Sequence, residues 1–320
     1  MSALATTLKN RVPGADFDWR QYVLYIGFAA LFVFFGITLG DQGFLTSDNL
    51  LNIVRQTATI SVMAVAVTFV IGSAEIDLSV GAVAGLSSVI TAMAIDSFGV
   101  PGGILAGLLV GVAVGSVNGA LVTWVGIPSF LVTLGMLGIA HGTAQWITNS
   151  APQPILEDSF NNAFGSGDFG PVPSLVIWTV GAVVIGHIAL RHTSFGRSVL
   201  ATGGNEEAAR FSGVPTLRIK FLVMVMASTA AAIAGMLYAG RLQSGRFQWG
   251  EGDELSVIAA VILGGTSLFG GRASVIGALL GSLMIGLINN GLILMGLEFS
   301  QQQIIRGLII ILAVALVSRG

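Results

Sequence analysis

The chain has 320 residues, of which 54% are hydrophobic and only 9% are charged, and its formal net charge is −2. A soluble domain usually carries about 25% charged residues, so this composition excludes a soluble body of this size and indicates an integral membrane protein. The slight negative charge argues against nucleic acid as a partner, and the absence of cysteine excludes disulfides and Cys-based metal sites.

Ten apolar runs approach the roughly 20 residues that a helix needs to cross the hydrocarbon core of a bilayer. Residues 1–20 are polar and are expected to form a cytoplasmic tail, while 21–320 form a single transmembrane domain. The eighth run is short and rich in Gly and Ser, which predicts a broken or re-entrant helix near 255–269. The predicted spans of this all-α polytopic fold are 22–40, 57–73, 80–96, 102–124, 128–147, 174–190, 218–239, 255–269, 273–296 and 303–318.

Glycine is unusually frequent, at 44 of 320 residues, and forms a regular series in the fourth predicted span. Small residues let helix backbones approach closely inside a membrane. The series therefore predicts a tightly packed helix face, made by Gly107, Gly111, Gly115 and Gly119.

The basic residues are unevenly distributed between alternate loops. If the N-terminus is cytoplasmic, ten of the fourteen Lys and Arg residues lie inside, which follows the positive-inside rule. The longest outside loop, 149–173, then contains no Lys or Arg. Arg306 falls near the outer end of the tenth span, where it is expected to snorkel to the interface, with pairing to Glu298 or a place on the solute path as the alternative.

Short motifs recur five spans apart. Asp77-Leu78-Ser79-Val80 precedes the third span, and Glu254-Leu255-Ser256-Val257 precedes the eighth. Residues 115–119 likewise resemble 286–291. An odd offset places the two copies on opposite sides of the membrane, which indicates a 5+5 inverted repeat of the kind that transporters use. Chance similarity between Gly- and Leu-rich helices is the alternative.

The sequence lacks the motifs that are typical of enzyme active sites. The sequence contains no G-x-x-x-x-G-K-[ST] phosphate loop and no nucleophile motif, and its three histidines match no metal-ligand spacing. We therefore expect a transport subunit without a metal site. If ATP drives transport, a separate chain must bind it.

Polar side chains are sparse within the predicted spans. Amide and hydroxyl groups there suit a path for a neutral, hydroxyl-rich solute, and interhelical hydrogen bonding is the alternative. No series of intramembrane Asp, Glu or His occurs, which argues against an ion-coupled carrier. Asp77 is expected to cap the third span. The candidate pathway residues are Asn118, Phe130, Thr133, Asn289 and Asn290.

One polar segment, 191–220, is out of place between apolar runs. It holds five of the fourteen Lys and Arg residues and predicts a short helix over 205–211 between glycine-bearing turns. The proposed orientation places this segment in the cytoplasm, where a helix-forming basic loop is a natural contact for a partner.

Four motifs resemble those of ribose/xylose-type ABC permeases and occur in that family's order, in a resemblance that runs from about residue 45 to the C-terminus. They are EIDLSVG (75–81), GIPSF (126–130), GGNEEAARFSGV (203–214) and LGGTSLFGG (263–271). The resemblance implies the ten-helix membrane subunit of a bacterial sugar importer in the cytoplasmic (inner) membrane, working by alternating access.

The same resemblance implies the partners of this subunit. They are a second copy of the permease, a cytoplasmic ABC ATPase that binds ATP and Mg, and a periplasmic or lipid-anchored solute-binding protein. No cofactor is then expected on this chain. A small neutral sugar of pentose or hexose type is the expected solute. A polyol, a nucleoside or an amino acid is the alternative within the class, and an ion-coupled carrier or a channel is the alternative outside it.

The resemblance also makes 191–220 the coupling segment. Ala208 and Ala209 would allow a close approach by the ATPase, and Arg210 would bond acceptors on its rim. On the outer side, Arg241 and Arg246 are candidates for docking the binding protein, with unpartnered rim charges as the alternative. The candidate coupling residues are Gly203, Gly204, Asn205, Glu206, Ala208, Ala209, Arg210, Ser212 and Gly213.

Overall fold

The computed structural model describes residues 23–298, 300–305, 307, 308 and 311, and this part of the chain is mostly helical. The predicted tail 1–20, Arg306 and most of the predicted tenth span lie outside the described residues. The helices are α1 (Val23–Thr38), α2 (Ser47–Gly72), α3 (Val80–Ala120), α4 (Ser129–Ile147), α5 (Asp158–Asn161), α6 (Ser174–His192), α7 (Ser194–Gly204), α8 (Glu206–Phe211), α9 (Thr216–Leu242), α10 (Asp253–Leu263) and α11 (Val275–Leu294).

Strands are few and very short. Strand β1 (Gln153–Pro154) pairs antiparallel with β4 (Ser244–Gly245), and β2 (Asp168–Phe169) pairs antiparallel with β3 (Val172–Pro173). The first pair ties the long loop after α4 to the chain that leaves α9.

Six helical stretches in the described part of the chain are long and apolar enough to cross a membrane. Helix α1 is apolar but shorter, and α10 has only 11 residues. The structure therefore agrees with an all-α membrane protein without confirming ten spans. The six stretches are Ser47–Gly72, Val80–Val125, Ser129–Ile147, Ser174–His192, Thr216–Leu242 and Val275–Leu294.

Helix α3 bends back on itself at Gly99. The backbone there has φ 70° and ψ 178°, which is not helical, and Pro101 follows two residues later. Ser87 Oγ donates a hydrogen bond to the Gly107 carbonyl at 3.2 Å, so the two arms lie side by side and run antiparallel. The bend falls between the predicted spans 80–96 and 102–124.

The predicted glycine face packs against α9. A Cβ atom at Gly111 would lie 2.6 Å from the Ser228 carbonyl oxygen, and one at Gly115 would lie 2.6 Å from the Val225 Cα. Gly119 meets α9 in the same way, so the prediction of a tightly packed face is confirmed.

Helix α2 is the central helix of the described part, since every residue from Thr57 to Gly72 is buried. It packs against α6, α9, α10 and α11. The hydroxyls of Ser61 and Ser282 share a hydrogen bond at 2.7 Å across its contact with α11.

Two non-helical segments penetrate this helical body. Residues 73–79, between α2 and α3, are largely buried, and side chains of α4 satisfy their backbone. Ser129 Oγ accepts the Ile76 N–H and Thr133 Oγ1 accepts the Leu78 N–H, each at 3.0 Å. Irregular backbone at membrane depth is tolerated only where protein or water satisfies its polar groups, and here protein does so.

The second segment is residues 244–252, which we call the α9–α10 loop. It runs along the first arm of α3, where a Cβ atom at Gly85 would lie 2.6 Å from the Phe247 carbonyl oxygen. At Gly81 a Cβ atom would overlap the Gly250 carbonyl and the Glu254 carboxylate, so the starts of α3 and α10 lie together. The first part of the predicted broken helix 255–269 belongs to α10, which ends at Leu263, and residues 264–269 are not helical.

Candidate coupling site and solute path

Helix α8 forms where the sequence predicts a short helix. Asn205 precedes it in an extended conformation, and its side-chain oxygen accepts the Ala208 N–H at 2.9 Å. At the other end, Ser212 Oγ donates to the Ala208 carbonyl, and Gly213 takes a positive φ of 86° that ends the helix. Because short helices are marginal alone, these caps help to keep α8 folded at the surface.

The outer face of α8 is exposed. Glu207, Ala208 and Arg210 are exposed, and Phe211 is 83% exposed. Ala209 instead packs into the permease at 6% exposure, so it contacts this chain's own body. An exposed phenylalanine beside an arginine is a combination that protein interfaces favour. The sequence reasoning missed Phe211, although its position at the end of a polar helix was a usable signal.

An ion triad joins α8 to the body of the protein. Lys220 Nζ, in the first turns of α9, lies 2.7 Å from Glu75 Oε1 and 2.7 Å from Glu206 Oε2. The side chains of Lys220 and Glu75 are 16% and 11% exposed. Burial works to raise the pKa of Glu206, but the hydrogen bond and charge of Lys220 outweigh it, so that pKa is lowered.

The triad links two of the recognised motifs. Glu75 belongs to the buried segment 73–79, and Glu206 is the first residue of α8. Lys220 therefore connects α8 directly to the buried segment 73–79.

Close backbone contacts between glycine-rich segments lie next to this triad. A Cβ atom at Gly203 would overlap the Gly72 carbonyl oxygen, and the same oxygen accepts the Gly271 N–H at 3.1 Å. A Cβ atom at Gly204 would lie 3.7 Å from the Gly271 Cα, which is an ordinary contact. The two glycine motifs thus pack against the end of α2, and Gly203 is the position where a side chain has no room.

Two of the candidate pathway residues hold the segment 73–79. Asn118 is fully buried and donates to Ser79 Oγ at 3.1 Å, and Thr133 accepts the Leu78 N–H. Asn118 Oδ1 has no hydrogen-bond partner among the described residues. These contacts favour the packing interpretation of both side chains.

The remaining pathway candidates lie elsewhere. Asn290 exchanges two hydrogen bonds with Asn49, at 3.0 and 2.8 Å, and so fastens α11 to the start of α2. Asn289 is half-buried beside it, and Phe130 is 47% exposed at the start of α4. The structure does not bring the five candidates together into one site.

Asp77 stabilises the entry to α3. Its Oδ1 accepts both the backbone N–H and the hydroxyl of Ser79, at 2.8 and 2.6 Å. Ser79 itself precedes the first residue of the helix, Val80. The carboxylate therefore orders the turn before α3. The predicted cap would instead accept an N–H within the first turn of the helix.

The two arginines predicted for docking differ in setting. Arg241, at the end of α9, is half-buried and donates to the Arg55 carbonyl at 3.5 Å. Arg55 forms an ion pair of 3.0 Å with Asp168 in the loop 149–173. Arg246 is exposed, and its guanidinium carbon lies 5.5 Å from the Trp249 ring centre. Of the two side chains, that of Arg241 thus lies nearer the contacts of this loop.

Comparison with known proteins gives consistent matches over most of the chain. A family described as "branched-chain amino acid transport system / permease component" matches residues 49–314. The ribose import permease of Bacillus subtilis (strain 168) is 40% identical over 282 residues, covering 88% of each chain. That of Escherichia coli (strain K12) is 37% identical, covering 86% of this chain and 87% of its own.

A third relative carries arabinose in its name. The L-arabinose ABC transporter permease of Azospirillum brasilense is 39% identical over 294 residues, covering 90% of this chain and 84% of its own. No solved structure matches the chain.

Proposed function

The chain belongs to the family of branched-chain amino acid transport system permease components, and we propose that it is the membrane subunit of an ABC importer for a small neutral sugar. The observation that carries this proposal is the 37–40% identity to ribose and arabinose permeases over most of the chain. The family description alone would allow an amino acid as solute, but these relatives favour a pentose-type sugar.

The proposed topology has ten crossings in a 5+5 inverted repeat. The two arms of α3 count as two crossings. The short helices α1 and α10 and a tenth helix around 303–318 bring the proposed number to ten. The support for this topology is the position of the two motif copies near helix starts, since Val80 begins α3 and Glu254 is the second residue of α10. The excess of basic residues on one side supports a cytoplasmic N-terminus for a protein of the bacterial inner membrane.

Energy comes from a separate ABC ATPase, since the sequence has no phosphate-binding loop. The exposed face of α8, with Arg210 and Phe211, is its docking surface. ATP and Mg bind that partner. Closure of the ATPase moves α8, and the Lys220 triad passes the movement to segment 73–79, opening the path alternately to each side.

Two further partners act on the permease. A second copy of the chain completes the transporter, and a periplasmic or lipid-anchored binding protein delivers the sugar to the outer face near Arg241. Acidic groups on the binding protein would complement that arginine.

Reconstitution with the ABC ATPase and the solute-binding protein that partner this chain tests the proposal. We expect ATP-dependent sugar uptake, and we expect Arg210→Glu to abolish both uptake and copurification of the ATPase. Arg197→Glu, a charge reversal at an exposed position on α7, is the matched control and should retain both. Uptake without ATP, or an unchanged Arg210→Glu transporter, would contradict the mechanism.

The solute is tested on the binding protein. Titration with ribose, arabinose, a polyol, a nucleoside and an amino acid should give tight binding for a sugar. Flux through liposomes that contain this chain alone would instead indicate a channel or a carrier.

A further inference from the structure

The α9–α10 loop carries polar side chains deep into the helical body. Its backbone passes Ser88 and then Gly85 on the first arm of α3, which are 11 and 14 residues before the Gly99 bend. At 1.5 Å per helical residue, these positions lie about 16 and 21 Å below the bend. The hydrocarbon core is about 30 Å thick, so the loop reaches past half of it if the bend is at the surface.

The long polar side chains of this loop are exposed, whereas Phe247 and Trp249 are half-buried. The carbonyl groups of Phe247, Trp249 and Gly250 lie against Gly81 and Gly85 on the first arm of α3. Arg246, Gln248 and Glu251 are exposed in the protomer. Exposed charges at this depth cannot face lipid without a cost of about 2.5 kcal/mol or more each, so they face water or protein.

Neighbouring side chains hold the loop in a defined shape. Trp249 donates its indole N–H to the Ser244 carbonyl at 2.7 Å and stacks on Tyr238 with ring centres 6.2 Å apart. Tyr238 in turn donates its hydroxyl proton to Asp253 at the start of α10. The exposed polar groups therefore project from a fixed backbone, as ligand-binding groups require.

We propose that the α9–α10 loop lines the solute path and that Arg246, Gln248 and Glu251 bind the hydroxyl groups of a neutral sugar in transit. Guanidinium donors, an amide that donates and accepts, and a carboxylate that accepts match the mixed hydroxyls of such a ring. This inference rests on the proposed function. It replaces the interior asparagines as pathway candidates and assigns Arg246 to the path instead of the outer rim.

Cysteine accessibility tests the loop's surroundings, because the native chain contains no cysteine. In the reconstituted complex, Gln248→Cys should react with a membrane-impermeant maleimide, and sugar-loaded binding protein with ATP should slow that reaction. Leu105→Cys, on an apolar α3 surface that is 60% exposed, should stay unreactive. An unreactive Gln248→Cys, or one that only cross-links to a second copy of the chain, overturns the proposal.

A transport assay distinguishes failure of this inference from failure of the proposed function. Gln248→Ala should lower sugar uptake per ATP hydrolysed several-fold, up to about tenfold, since one hydrogen bond to the sugar is lost. ATP hydrolysis stimulated by the loaded binding protein should persist, and Gln42→Ala in an exposed outer turn should behave as wild type. If the wild-type complex transports sugar but Gln248→Ala is unchanged, this inference fails alone. If the wild-type complex transports no sugar, the proposed function fails.

Discussion

Lys220 shows how one side chain joins separate motifs. It contributes a single positive charge to two carboxylates, Glu75 in the membrane-entering segment and Glu206 on α8. Glu206 is 40% exposed at its side chain and is screened by water, whereas Glu75 is nearly enclosed. Loss of the Lys220–Glu75 ion pair should therefore cost more free energy than loss of the Lys220–Glu206 ion pair.

We predict that Lys220→Met uncouples transport from ATP hydrolysis. Leaving Glu75 buried without its counter-charge costs about 3–5 kcal/mol, so the segment 73–79 should shift. We expect uptake to fall by about tenfold or more, which corresponds to at least 1.4 kcal/mol, while the ATPase still copurifies. Sugar uptake and ATP hydrolysis are measured on the same reconstituted sample.

Two variants sharpen the Lys220 experiment. Arg218→Met removes an exposed positive charge two residues away and should transport normally. The triple reversal Glu75→Lys, Lys220→Glu and Glu206→Lys should recover part of the uptake, because both ion pairs are restored with opposite sign. Normal uptake by Lys220→Met would remove the triad from the coupling mechanism.

The partners of Lys220 could not be predicted from the sequence. Local pattern gave it a role only as one of several positive-inside charges, because four predicted spans separate it from Glu75. Phe211 differs, since its place at the end of a polar helix was a signal that the sequence offered. By contrast, Asn205 and Gly213 were predictable, because capping and positive φ depend on the residue and its immediate neighbours.

At the scale of elements, helices were largely predictable and the irregular segments were not. Long apolar runs broken by Gly and Pro fix most helix positions, including the two arms of α3 around Gly99. Segment 73–79 stays extended because Ser129 and Thr133 of α4 accept its N–H groups. Such tertiary satisfaction of a backbone has no local signal. The Gly- and Ser-rich composition of 255–269, by contrast, did predict a short helix, since α10 ends at Leu263 and 264–269 are not helical.

The α3–α9 contact gives a prediction about packing. Gly115→Val should destabilise the protein by about 1–3 kcal/mol or more, because its side chain would press into the Val225 backbone. Gly138→Val in α4 has no atom within 4 Å of its new Cβ and shares the same change in helix propensity. Thermal unfolding in detergent should show a lower midpoint for Gly115→Val alone, and equal losses would contradict this view of the interface.

At the scale of the whole molecule, composition already predicted a multi-pass membrane protein, because few charges cannot cover a soluble surface. The motif order predicted the sugar-permease class, which the relatives confirm. The sequence allowed the interior asparagines either to pack or to line the path, and the contacts of Asn118 and Asn290 favour packing. The proposal for the α9–α10 loop depends on the depth of the loop and on the exposure of its polar side chains. Both properties are read from the three-dimensional structure.

Orientation is the remaining property of the whole molecule that the coupling mechanism requires. Leu156 is 91% exposed in the outer loop, and Glu207 is exposed on α8. In intact bacteria, an impermeant maleimide should label Leu156→Cys at once and Glu207→Cys only after the inner membrane is opened. The reverse pattern would place α8 on the side without ATP, where no ATPase could dock, and the positive-inside excess of this chain would have no physical cause.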